Sequence, residues 1–282
     1  MKKNNFFVLF TVFLFSQMAF GESGDVSEYC NKVSNIAKSY VNYGEKSHIP
    51  DFPIWIVENK KRTWFYHAPD EKCKSGTFII EGDIVSLYKI VKDYGYASYI
   101  SKDNIETKGW VNLESLAKLN LASYKGNKKH LNVSDFLVTN DEVWIILNES
   151  YHLFEQKHMV GEQNYHNFIG GFIFGNYYYK FNQHDYNDFS LVTSNVNYDK
   201  KLIGMDDDYV ISSITLKNKN YKTLRGVRIG DSVDKIMELY NHIPYKQTDN
   251  EIEFSLRDMS MSFELKEGKV SSIDIGIELK DN

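Results

Sequence analysis

Two cysteines are the residues whose chemistry the sequence predicts most directly. Cys30 and Cys73 are the only cysteines among 282 residues. An even number of cysteines is typical of a disulfide in an exported chain, whereas a reactive thiolate needs an activating neighbour, which neither cysteine has. We therefore predict a Cys30–Cys73 disulfide that stabilises the fold by about 2–4 kcal/mol. A pair of free thiols is the alternative.

The histidines do not follow the spacing of a metal site. Four of them lie at irregular spacing over residues 152–184, without a His-Glu-x-x-His or His-x-His sequence: His152, His158, His166 and His184. Zinc ligands usually show such short spacings. We expect solvated or hydrogen-bonded histidines, no metal and no cofactor.

An acidic run, Asp206-Asp207-Asp208, lacks the alternating oxygens of a calcium loop. We expect a solvated turn there, which could also meet a protein partner with a basic surface.

No Gly-x-Ser-x-Gly sequence occurs, and no Ser-x-x-Lys has the context of an exported transpeptidase. The sequence therefore predicts no catalytic residue.

The first 21 residues are typical of a secretory signal peptide. Met1-Lys2-Lys3 precedes an apolar run over residues 6–15, and a small-x-small cleavage pattern ends at Gly21. The run is too short for a spanning helix with its own flanks. No cysteine stands at the cleavage point, so no membrane anchor is predicted. We expect a periplasmic or secreted protein, cleaved near Gly21.

The composition excludes some partners and indicates the class of fold. The formal net charge of −5 argues against nucleic acid, which selects basic surfaces. With 20 tyrosines, 18 phenylalanines and only 4 prolines, the chain is predicted to be folded, mainly β, and long enough for two domains.

The first predicted elements are a helix and a connector over residues 22–60. Apolar residues recur at helical spacing over residues 25–43. Asp25 or Ser27 can cap this helix, and Gly44 can end it. Residues 54–57 are predicted as a strand, packed against the elements that follow.

Short alternating apolar segments then run over residues 61–119. They are separated by turns such as Gly82-Asp83, and they close on Gly109-Trp110-Val111. This order of features resembles a bacterial SH3-like (SH3b) domain over residues 62–116. The resemblance implies a small barrel that binds a peptide or a glycan.

In such barrels an aromatic groove commonly holds the ligand. The residues that the resemblance assigns to this groove are Trp64, Tyr66, Tyr94, Tyr96 and Tyr99. Tyr94 and Tyr96 are expected to be exposed at a hairpin tip, and Trp110 to pack inside the barrel. Alternatively, most of these rings fill the barrel core.

Residues 120–132 are polar and basic, with few large apolar groups, and are predicted as a linker. Residues 133–282 are predicted as an α+β domain with one prominent helix, which Asp231 or Ser232 can cap, and closing hairpins at Arg257-Asp258 and Glu267-Gly268-Lys269. Residues 222–277 resemble small outer-membrane lipoproteins of the β-barrel-assembly accessory type. That resemblance implies a helix packed against an antiparallel sheet.

The sequence thus predicts a mainly β chain, with a helix and an SH3-like barrel before an α+β domain. We expect an exported, non-enzymatic binding protein whose partner is a protein. One specific role is immunity against a cell-wall-directed toxin. The alternatives are a peptidoglycan-binding module and a hydrolase whose site the sequence does not reveal.

Overall fold

The computed structural model describes residues 22–38, 47–48, 50, 52–127, 129–157, 165–174, 177–195 and 209–278. The predicted signal peptide, the helix end at Gly44 and the acidic run at residues 206–208 lie outside these residues. The described strands pair only in antiparallel fashion. The mainly β fold with antiparallel sheets is confirmed.

The first half consists of one helix and one curled sheet. Its elements are α1 (Glu22–Lys38), β1 (Ser47–His48), β2 (Ile54–Val57), β3 (Thr63–Tyr66), β4 (Lys74–Ile79), β5 (Ile84–Val91), β6 (Tyr94–Ile100), β7 (Glu106–Asn112) and β8 (Leu116–Lys118). The strand order is β4-β3-β7-β6-β5-β2-β8, and β1 pairs with β5. The sheet curls into a half-barrel because alternate side chains, among them Phe65, Leu87 and Val111, pack into one inner cluster.

The helix α1 lies on the outer face of this sheet. Its buried side chains are small, namely Cys30, Ser34 and Ala37, and they recur at helical spacing. Small side chains let a helix approach a sheet closely. The helix begins three residues before the expected start, and residues 39–43 of the prediction lie outside the described chain.

The second half has two sheets and two short helices. Its elements are β9 (Leu137–Thr139), β10 (Trp144–Ile146), α2 (Tyr151–Lys157), β11 (Tyr165–Phe174), β12 (Tyr177–Asp185), β13 (Phe189–Ser194), β14 (Val210–Leu216), β15 (Lys222–Thr223), α3 (Val233–Leu239), β16 (Lys246–Gln247), β17 (Glu251–Leu256), β18 (Met259–Lys266) and β19 (Lys269–Ile277). A small sheet has the order β10-β9-β15, and a large one the order β11-β12-β13-β14-β19-β18-β17-β16.

Local signals account for the last part of this half. Ser232 caps α3 by accepting a hydrogen bond from the backbone N–H of Lys235, as the sequence predicts. Tight turns at Arg257-Asp258 and Glu267-Gly268 join β17 to β18 and β18 to β19. Arg257 and Gly268 have positive φ angles of 60° and 73°, which such two-residue turns require.

The segment over residues 120–132 is anchored to the second half. Leu121 and Leu131 are buried, so the expectation that this segment lacks apolar anchors is wrong. Arg225 donates hydrogen bonds to the carbonyl oxygens of Asn127, at 2.8 Å, and of His130, at 3.5 Å. The sequence has no local signal for these contacts, because their donor, Arg225, lies about a hundred residues further along the chain.

The two halves share one hydrophobic core. Ile54, Ile84 and Ile100 of the curled sheet belong to the same buried cluster as side chains from both sheets of the second half. A polar contact supports this junction, since the backbone N–H of Arg257 donates to Asn104 Oδ1 at 2.9 Å. The β17–β18 turn therefore rests against the turn between β6 and β7.

Candidate functional site

The Cys30–Cys73 disulfide is present, so this prediction is confirmed. Both sulfur atoms lie in a small buried cluster with Ala68, and Val33 packs against it. The hydroxyl of Tyr29 also donates to Asp70 Oδ2 at 2.7 Å. These contacts hold α1 to the segment between β3 and β4.

Three of the predicted groove residues lie on the outer face of the curled sheet, in the cluster that includes Ala37 of α1. The rings of Tyr66 and Tyr94 meet edge to face with centroids 5.3 Å apart, and Tyr96 lies 5.3 Å from Trp110. Ala37, Tyr94 and Trp110 are buried together, with Tyr66 and Tyr96 packed against them. This part of the aromatic surface is covered by the helix.

The expectation that Tyr94 is exposed at a hairpin tip is wrong, because its side chain is only 8 % exposed. Trp110 is fully buried, but it lies in the outer-face cluster with Ala37 of α1, so the expectation that it packs inside the barrel is wrong. Burial raises the pKa of the Tyr94 hydroxyl to about 12, and the neighbouring Tyr66 and acidic side chains add to the shift. Tyr94 is therefore a packing residue and stays neutral at physiological pH.

Tyr99 lies on the opposite, inner face of the sheet. It packs against the inner cluster of the half-barrel, and its hydroxyl donates to Asp83 Oδ1 at 3.2 Å. Burial raises its pKa to about 12, with the Asp83 carboxylate contributing. The structure thus divides the five predicted residues between two faces and does not bring them together in one groove.

Trp64 remains half-exposed at the edge of the sheet, within a row of alternating cations and rings. The guanidinium carbon of Arg62 lies 4.3 Å from the ring centroid of Phe78, and Lys74 Nζ lies 4.0 Å from that of Trp64. The two rings meet edge to face at 5.3 Å. We call Arg62, Phe78, Trp64 and Lys74 the cation–aromatic row.

This row stands on β3 and on the end strand β4, where no further strand pairs among the described residues. Both exposed cations (Lys60, Lys61 and Lys72) and exposed acids (Glu58, Glu71 and Glu81) flank it in the sequence. The cations that lie against the rings are Arg62 and Lys74. Edge backbone groups, exposed rings and cations can together hold an extended, acidic ligand.

Arg62, Lys74 and Phe78 were missed by reasoning from sequence. Arg62 directly precedes β3, and the alternation of side chains along a strand places it on the same face as Trp64. The sequence could therefore have indicated Arg62 as a neighbour of Trp64. A register shift between Trp64 and Tyr66 brings Lys74 opposite Tyr66, two residues from Trp64. The sequence does not reveal that shift.

One buried pair has the composition of a base and a nucleophile. His184 Nε2 lies 2.9 Å from Thr193 Oγ1, and the ring of Tyr151 lies 4.0 Å from that of His184. Both His184 and Thr193 are only 1 % exposed. A substrate has no access to either group, so this arrangement packs the end of the core and offers no site for hydrolysis.

Within the described ranges, no three His, Cys, Asp or Glu side chains converge as they would on a metal ion. His152 is exposed and bonds to Gln156, while His158 lies outside the described residues. The helices of the described chain include none that is both long and apolar enough to cross a bilayer.

The chain matches no protein-family model, no curated protein and no solved structure in the comparisons made with them. The cation–aromatic row is thus a candidate site from geometry alone.

Proposed function

We propose that this protein is an exported, non-enzymatic binding protein, and that its ligand is another protein held at the outer edge of β3 and β4. The resemblance to bacterial SH3-like domains belongs to this proposal. The observation that carries it is the cation–aromatic row on an end strand. A predicted signal peptide and the Cys30–Cys73 disulfide support export.

An extended segment of the partner is the ligand that suits this edge. It would pair its backbone with the free side of β4 and place alternate side chains beside Phe78 and Trp64. Apolar or aromatic side chains would pack on the two rings. The partner's backbone would supply the affinity, and the row would select the sequence.

The partner is acidic in this proposal. Arg62 and Lys74 lie against the two rings, at 4.3 Å and 4.0 Å from the ring centroids. Acidic side chains of the partner would form charge-assisted hydrogen bonds there and would be steered to the site. An immunity protein that blocks a cell-wall-directed toxin is the specific role we propose, with an acidic segment of the toxin as the ligand.

Peptidoglycan is the second candidate ligand, favoured by the same row. A half-exposed tryptophan beside a lysine can stack on a sugar ring while the cation pairs with a carboxylate of the stem peptide. The two candidates differ in a simple sedimentation test. At physiological salt, sacculi would retain the protein if peptidoglycan is the ligand, and would leave it in solution if a protein is.

The proposal is tested with Phe78→Ala and Lys74→Glu, because both side chains are exposed. Ile105→Ala is the matched control, since Ile105 is an exposed apolar residue of the same sheet region, away from the row. A partner captured from the producing cells is purified and titrated against each variant. We expect roughly tenfold weaker binding or more for both row variants, and no change for the control.

Unchanged binding by both row variants would contradict the proposed site. If the purified partner binds both row variants as tightly as the wild type while all variants melt at the same temperature, the site is not on β3 and β4. Binding of the wild type to sacculi, lost in Phe78→Ala, would replace the protein ligand by peptidoglycan.

A further inference from the structure

The end strand β11 has an unusual surface for an exposed edge. Phe168, Ile169 and Ile173 are 53 %, 48 % and 70 % exposed, respectively. The strand begins the large eight-stranded sheet and pairs only with β12. Its outer backbone side has no partner among the described strands. Three exposed large apolar side chains on one such strand favour contact with another molecule.

Two other ends of the large sheets carry a lysine. The strand β8 ends with Lys118, and β16 is only two residues long and includes Lys246. Short length and lysine are the usual means of preventing association at a sheet edge. Over its ten residues, β11 contains no Lys, Arg, Asp, Glu or Pro. It lacks the features that protect these two ends, and it has no cation such as Lys74 of β4, the edge proposed above for the acidic ligand.

We propose that β11 is the surface through which two copies of this chain pair, antiparallel and related by a two-fold axis. In such a pairing each residue near the axis faces its own counterpart or a close neighbour, so any charged residue there would meet a like charge. The absence of charge on β11 removes this conflict. It also makes a second copy a better occupant of β11 than the acidic ligand proposed for the cation–aromatic row. The large sheets of the two copies would then continue across the axis as one sheet.

The test is sedimentation of the mature chain over a roughly hundredfold range of concentration. We expect a reversible dimer for the wild type and at least about tenfold weaker association for Ile173→Lys. Ile105→Lys is the matched control, because Ile105 is 64 % exposed against 70 % for Ile173. It should dimerise like the wild type. A wild type that stays monomeric throughout, or a dimer that Ile173→Lys leaves intact, overturns the proposal.

Cysteine crosslinking tests the geometry separately. The native cysteines are already joined to each other, so a single introduced cysteine can form a disulfide only with the same cysteine of a second copy of the chain. Among Asn167→Cys, Ile169→Cys and Ile173→Cys, the position nearest the axis should give a covalent dimer in high yield. Ile105→Cys should not. Equal crosslinking at all four positions would mean random collision and would contradict a two-fold pairing of β11.

Discussion

At the scale of residues, the buried ion pair between Asp135 and Arg225 joins distant parts of the chain. Arg225 Nε donates to Asp135 Oδ1 at 2.7 Å, and both side chains are almost fully buried. Asp135 also accepts from the backbone N–H of Asn132, and the Arg225 guanidinium lies over the ring of Tyr240. Burial raises the pKa of the Asp135 carboxyl, and the hydrogen bond from Arg225 opposes that shift. The pair fixes where residues 120–132 lie.

Removing only the cation of this pair should destabilise the protein strongly. In Arg225→Met the carboxylate of Asp135 stays buried without its partner, so we expect a loss of about 3–5 kcal/mol in urea unfolding. The double variant Asp135→Leu/Arg225→Met should recover much of it. Lys246→Met is the control, because the Lys246–Glu253 pair is exposed, and should cost about 0.2–1 kcal/mol. Similar losses for Arg225→Met and Lys246→Met would contradict this role.

At the scale of elements, the docking of α1 depends on its disulfide. The buried side chains among residues 26–37 of the helix are small, so the helix gains little from apolar burial there. In Cys30→Ala/Cys73→Ala we expect a loss of about 2–4 kcal/mol in stability and loss of amide-exchange protection in α1. The fluorescence of the buried Trp110 should shift to longer wavelength as water reaches it. Full protection of α1 in this variant would show that packing alone holds the helix.

The contact between Tyr29 and Asp70 should make the docking of α1 sensitive to acid. The hydrogen bond from the Tyr29 hydroxyl is the main cause that lowers the pKa of Asp70 below 3.8. A lowered folded-state pKa stabilises the fold above the unfolded pKa, and this stabilisation is lost as the pH falls through the folded value. Tyr29→Phe should therefore lower the melting temperature at neutral pH, and by a smaller amount once the pH is below the folded-state pKa of Asp70. The effect is small because Asp70 is close to solvent, and a pH-independent difference would contradict it.

At the scale of the whole molecule, prediction from sequence succeeded where the causes are local. The strands β17, β18 and β19, their turns and the cap of α3 follow from residues within a few positions of each other. Burial of Tyr94 depends on Ala37 of α1, and the Cys30–Cys73 bond, whose cysteines are 43 residues apart in the chain, holds that helix in place. The cation–aromatic row depends on strand register in the same way. Contacts over long separations have no local signal, so the residues of the candidate site were only partly predictable.

The shared core bears on whether the two predicted domains are independent. Ile54, Ile84 and Ile100 pack in one cluster with the second half, and the segment between the halves is anchored by Leu121, Leu131 and Arg225. We therefore expect a single unfolding transition in calorimetry, with a van't Hoff enthalpy equal to the calorimetric one. Ile54→Ala should cost about 2–5 kcal/mol and should reduce amide-exchange protection in both halves together.

Limited proteolysis gives the complementary measurement, because cleavage needs a locally open backbone. If the halves unfold together, cleavage within residues 120–132 should be slow and should accelerate in Ile54→Ala as the unfolded fraction rises. Leu121→Ala/Leu131→Ala is the informative comparison, since it loosens the segment without touching the curled sheet. It should allow cleavage at 120–132 before any other site. Rapid cleavage there in the wild type, leaving two fragments that each melt cooperatively, would instead support a linker between two independent domains.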